Sequence, residues 1–262
     1  MDLDRLYITL DIDWADDDVL AHVLDLLDQY DCKATFFVTH HSPVIARMRD
    51  NPRFERGVHP NFAPLLGARS DDDALATAAQ VVDELMTIVP EARASRAHSL
   101  ITGTPLLRLC HERGLVIDSN VYVPWRQVTP LTPWRFWTET LIVPFVWSDY
   151  IDMIQRGDGR PDDLLDVPGT LKVIAFHPIH IYLNTVDSAH YAAFRKSGLS
   201  AQEARRVLHR NAPGVGDAFR RLLDAVRRQR IATGLLGELP EAKYPAGSHG
   251  HAERSDHQRD SR

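Results

Sequence analysis

The feature that most constrains this chain is a repeated alternation. Short apolar, β-branched runs recur at 6–12, 33–40, 56–60, 93–100, 114–119, 140–147, 171–181 and 230–236, with helical patterns between them. The first helix opens at Asp16, Asp17 and Asp18, whose carboxylates suit free N–H groups and the positive dipole end. Its buried face is Val19, Leu20, Val23, Leu24 and Leu27. Asp71, Asp72 and Asp73 repeat the device ahead of Leu75, Ala78, Val82, Leu85 and Met86. Thr104 and Pro105 start a third helix that stops at Gly114. The arginine-rich stretch 205–230 places Val207, Leu208, Phe219, Leu222, Leu223 and Val226 on the inner faces of two amphipathic helices. Such alternation predicts an α/β protein with a mainly parallel sheet. Seven or eight strands in a single domain over 1–239 favour a closed or nearly closed (β/α) barrel over a doubly wound open sheet. Residues 124–139, with three tryptophans and three prolines, read as a long βα loop, and 240–262 as a disordered polar tail.

Charge and cysteine usage narrow the partners. A net charge of -6 with no dominant basic stripe argues against nucleic acid. Cys32 and Cys110 lie in apolar contexts without CxxC spacing, as free core thiols of a reducing compartment do. The start is acidic, and no segment has the roughly 20 apolar residues of a transmembrane span. The expected location is therefore cytoplasmic. The oligomeric state leaves no mark in the sequence.

The polar residues carry the chemistry by position. Asp11 and Asp13, His40 and His41, His59, His98, Asp149 and His177 each stand at the C-terminal end of an apolar run. In a parallel α/β sheet these ends share one face, where active sites are built. Helix capping accounts for Asp16 to Asp18 but not for Asp11 and Asp13, which alternate at the strand end. Carboxylate and imidazole ligands without clustered cysteine favour a divalent metal, zinc or a neighbour such as cobalt, iron or manganese, over calcium or magnesium. The same inventory suits hydrolysis, with a carboxylate to deprotonate a metal-bound water and an acid for the leaving group.

These motifs resemble the polysaccharide deacetylases of the NodB-homology superfamily, carbohydrate esterase family 4, over roughly residues 6–182. ITLDIDW is similar to the first motif, which implies Asp11 as general base and Asp13 as metal ligand. CKATFFV is similar to the second strand, and RGVHPNF to the stretch whose histidine binds metal, here His59. RAHSLITGTPLLRLCHERGLVIDSNVY resembles the stretch whose arginine, here Arg96, holds the base carboxylate, and VIAFHPIH the final motif, whose histidine, here His177, protonates the leaving amine. The resemblance implies a distorted NodB-like barrel. Where the family has a second histidine four residues after His59, this chain has Ala63. His98, beside Arg96, is the favoured replacement, with Asn61, His40 and His41 as rivals. HPNF, RAHS and HPIH together resemble a WbmS-like subgroup. The implied activity is metal-dependent removal of an acetyl or formyl group from an amino sugar; the expected cytoplasmic location, out of reach of finished polymer, points to a nucleotide- or lipid-linked precursor of a surface polysaccharide as its carrier. Asn61, Trp147, Asp149, His180 and the Trp-rich loop are expected to bind the sugar. The missing histidine leaves open an inactive carbohydrate-binding relative, and the face as a whole ester or phosphoester hydrolysis.

Overall fold

Every residue of the first strand is buried, on both of its faces, as in a parallel strand covered by helices outside and filled by side chains inside. The computed structural model describes residues 3–67, 70–126, 130–155 and 160–239. The 240–262 tail lies outside them. In chain order the elements are β1 (Leu6–Asp11), α1 (Asp17–Gln29), β2 (Ala34–Val38), α2 (Pro43–Arg49), β3 (Phe54–Val58), α3 (Asp71–Ile88), β4 (Ala94–Ser95), α4 (Thr104–Glu112), β5 (Ile117–Asp118), β6 (Trp134–Arg135), β7 (Leu141–Ile142), β8 (Trp147–Ser148), α5 (Asp149–Gln155), β9 (Lys172–Phe176), α6 (Pro178–Leu183), α7 (Ser188–Ser197), α8 (Ala201–Val207) and α9 (Val215–Gln229).

The nine strands run β6-β7-β5-β4-β3-β2-β1-β9-β8, all parallel except the β6–β7 pair. β7 and β8 are two halves of one bent segment. Val143 and Phe145 N–H groups donate to Asp118 and Val121 carbonyls on one side, while Val146 N–H donates to the Val173 carbonyl on the other. The segment around Pro144 thus joins β5 to β9, and the sheet curls into a distorted barrel.

The helices begin and end for local reasons. α1 buries Val19, Leu20, Val23, Leu24 and Leu27, but Asp16 makes no side-chain cap bond and Asp17 accepts from the Ser42 hydroxyl, so the aspartates favour this helix end by charge rather than by capping it. Ser70 caps α3 by accepting from Asp73 N–H, and Gly114, with φ 83°, follows α4. α9 buries Phe219, Leu222, Leu223 and Val226, whereas Val207 at the end of α8 is exposed.

Four expectations need redrawing. The 171–181 run is a strand only to Phe176, because Pro178 opens α6. The 140–147 run is split at Pro144. The 230–236 run contributes one isolated bridge, Thr233 to Leu6, and the 124–139 loop contains β6.

Candidate active site

Register places the polar residues on one rim. Leu10 pairs with Phe176, Val58 with Ser95 and Ser148 with Ala175. Asp11, His177, His59, Arg96 and Asp149 each follow one of these paired residues directly, so five distant positions meet at the C-terminal edge of the barrel.

Arg96 is fully buried and anchors the first group. Its Nη1 donates to Asp11 Oδ1 at 3.0 Å and to Thr9 Oγ1 at 2.9 Å, while Nε and Nη2 donate to the Ser119 carbonyl and hydroxyl. The Phe37 and Phe145 rings hold the guanidinium between them, each centroid 4.6 Å from Cζ. Burial lowers the Arg96 pKa, and the Asp11 and Asp118 carboxylates oppose that effect. This planar fork fixes one Asp11 oxygen in place.

Asp13 gathers the imidazoles. Asp13 and Trp14, with φ of 40° and 55°, turn the chain sharply after β1, and Trp14 N–H donates to Thr39 Oγ1 at 3.0 Å. Asp13 Oδ1 lies 3.1 Å from His59 Nε2 and 3.2 Å from His98 Nδ1; Oδ2 lies 3.7 Å from His177 Nε2. Burial raises the Asp13 pKa, but hydrogen bonds from His59 and His98 and the His177 charge outweigh it, holding the carboxyl well below the usual range. The Asp13 hydrogen bond raises the His98 pKa against the opposing effect of burial. His59 Nδ1 is buried without a hydrogen-bond partner, so that ring bonds only through Nε2, toward Asp13.

Asp13, His59 and His98 offer ligand atoms that all lie within 4.8 Å of one another. A tetrahedral ion with bonds of about 2.0–2.2 Å needs donors roughly 3.3–3.6 Å apart, and the separations of 3.1 and 3.2 Å fall just short of that, so a small outward shift of the rings admits the ion. The donor set and its spacing fit a divalent transition ion. Ala63 starts an exposed 3₁₀ turn, Ala63–Gly67. Asn61, His40 and His41 stand outside the triad: Asn61 Oδ1 accepts from Ala63 N–H, His40 Nδ1 is bonded to Thr39 Oγ1, and His41 is exposed.

His177 closes the rim. Its Nδ1 is 2.7 Å from Asp149 Oδ1, and its backbone N–H donates to Asp149 Oδ2 at 2.8 Å. Burial disfavours the charge on His177, but Asp149, with Asp13 and Asp11, pushes it up to about 10. His180, hydrogen-bonded to Thr185, is pushed down by burial to about 4 and stays neutral.

A cavity of about 420 Å³ opens over this rim, lined by Asp11, Asp13, His59, His98, His177 and His180. Three residues expected to bind sugar stand elsewhere. Asp149 is buried behind His177, Trp147 packs against Phe176, and Asn61 is absent from the lining. Trp134 and Trp137 are exposed but do not line the cavity; Arg108 stacks on Trp137. The lining instead includes Trp14, Tyr150, Tyr191 and Arg195. Trp14 adjoins Asp13 in the first motif, a signal within reach of sequence reading, whereas α7 carries no motif. Asn120 likewise carries no sequence signal of its role. It donates to Asp118 Oδ2 and accepts from Ala97 N–H, strapping down the turn that presents His98.

A distorted parallel barrel with an Asp, His and Arg rim is the architecture of a polysaccharide deacetylase. A family model described as WbmS-like polysaccharide deacetylase matches residues 8–195. A crystal structure from Bordetella bronchiseptica, described as a candidate polysaccharide deacetylase involved in O-antigen biosynthesis, is 33% identical with TM-score 0.77, covering 85% of this chain and 90% of that one. The chain belongs to the WbmS-like polysaccharide deacetylases. Peptidoglycan deacetylase PdaC from Bacillus subtilis is 16% identical with TM-score 0.46, covering 88% of this chain and 86% of that one. A carbohydrate esterase family 4 pseudoenzyme from Bacillus anthracis is 14% identical with TM-score 0.47, covering 90% of this chain and 65% of that one. No curated protein matches the sequence. Among the described residues no helix is long and apolar enough to cross a membrane.

Proposed function

We propose that this protein is a metal-dependent N-deacylase of an amino sugar. The observation that carries this reading is the convergence of Asp13, His59 and His98 between two supported acid–base groups, Asp11 on Arg96 and His177 on Asp149. Asp13, His59 and His98 would hold the ion, zinc or cobalt, iron or manganese, which supplies Lewis acidity toward the acyl oxygen and lowers the pKa of water. Asp11, held by Arg96, receives the proton of the attacking water. His177, with Nδ1 tied to Asp149, turns Nε2 toward Asp13 and delivers a proton to the departing amine. Atoms balance when water adds to the acyl carbon, the C–N bond breaks, and a carboxylic acid and a free amine leave. His180 and Trp14 offer the sugar one neutral imidazole and one aromatic surface.

The part in O-antigen biosynthesis ascribed to the Bordetella relative supports a surface-polysaccharide precursor, nucleotide- or lipid-linked, met in the cytoplasm. The test is metal content together with acetate and formate release from N-acylated amino sugars. Wild type is expected to bind one divalent ion and release acid, and Asp11→Asn to keep the ion and lose at least a hundredfold in kcat. A protein with neither stoichiometric metal nor acyl release overturns the reading.

A further inference from the structure

Beside the cavity lies a groove of about 340 Å³ that the acyl chemistry leaves unused; Tyr150, Tyr191 and Arg195 wall both spaces. Two helix faces build it. On α5, Tyr150, Met153 and Ile154 fall at i, i+3 and i+4, and on α7 the stripe from Ser188 through Tyr191 to Arg195 and Lys196 keeps the same three- and four-residue rhythm. Tyr150 is 49% exposed and Ile154 56%, so folding leaves this apolar face uncovered. Among the described residues no carboxylate lines the groove, and its two charges, Arg195 and Lys196, are both positive. Arg195 lines both spaces, which places it where cavity and groove meet.

An apolar chamber with Arg195 and two tyrosines at its junction to a sugar site, and Lys196 further in, suits a group that is anionic next to the sugar and carries a flat ring. We propose that the groove receives the nucleoside diphosphate of a nucleotide-linked amino sugar, with Arg195 and Lys196 on the diphosphate and Tyr150 and Tyr191 beside the base. The chamber has the scale of a nucleoside, whereas a long polyprenyl tail exceeds it. This assignment rests on the deacylase reading for its sugar and on the groove alone for its nucleotide.

Binding of UDP, GDP and dTDP, measured calorimetrically without any sugar, tests the groove by itself. At least one nucleotide is expected to bind wild type, with Arg195→Gln weakening it roughly tenfold or more and Tyr150→Ala several-fold, while both variants keep the wild-type melting temperature. Binding of none of the three, or equal binding to Arg195→Gln, overturns the proposal. So does inorganic diphosphate binding as tightly as the nucleotides. Acyl release from the nucleotide-linked and free N-acetyl amino sugars then separates the two readings. Nucleotide binding without acyl release from any sugar keeps the groove and removes the deacylase, and release from free sugar without nucleotide binding does the reverse.

Discussion

Asp149 shows how a single residue changes meaning once its neighbours are known. It stands at a strand end like the other candidates, and its polarity suggests a sugar contact, but it is buried and spends both oxygens on His177. In the proposed reaction it is a positioning residue. Asp149→Asn is expected to lower kcat by roughly 10²–10⁴ with KM little changed, because the amide no longer fixes the imidazole tautomer or supports its charge. Steady-state kinetics across pH checks this; an altered KM at unchanged kcat contradicts it. His98→Ala is expected to weaken divalent-ion affinity roughly tenfold or more, whereas His40→Ala leaves it unchanged, as read by competition with a chromogenic chelator. His98 was legible because it follows the strand carrying Arg96. The meeting of Asp11, Asp13 and His177 at one cavity was legible by the same alternation and motif logic. The strap through Asn120 was not, since its partners Asp118 and Ala97 meet only when β4 and β5 pair.

The helices were easier to read than the strands. A helix announces its face within its own residues, and all five apolar positions assigned to α1 are buried. A short buried strand has no periodicity of its own, so the 171–181 run hid the switch from β9 to α6, and the 140–147 run hid a bend. Both changes occur at prolines, Pro178 and Pro144, which lack the N–H that would continue a strand's ladder. Between β2, β3 and β4 the packing leaves no room for a side chain at Gly57. A Cβ there meets the Ala94 carbonyl oxygen at 2.7 Å and the Phe37 ring at 2.9 Å. Phe37 in turn covers Arg96. Gly57→Ala is therefore expected to destabilise by about 1–3 kcal/mol in urea unfolding, and to lower activity through the displaced ring.

Across the whole molecule the thiols report on the integrity of the core. Burial pushes Cys32 up to about 11 and Cys110 up to about 12. At pH 8 neither is expected to react with a disulfide reagent in the folded protein, while both react in denaturant. The sign for stability follows from linkage. Well below pH 9.0, the ordinary thiol value, both states keep nearly all their thiol protons, and above it the unfolded chain releases protons that the folded chain keeps. Stability is expected to fall as pH rises from about 9 through 11, and urea midpoints across that range measure the effect. The order of the sheet has a further consequence, in time. Thr9 donates to the Ile174 carbonyl 165 residues later, so β1 lies between β2 and β9, one early neighbour and one late. At about 5–20 residues per second, a ribosome needs roughly 8–33 s to supply that second neighbour. For that interval the nascent chain carries β1 with one hydrogen-bonding edge bare, and a transcript truncated before β9 leaves that edge open to any other strand it meets.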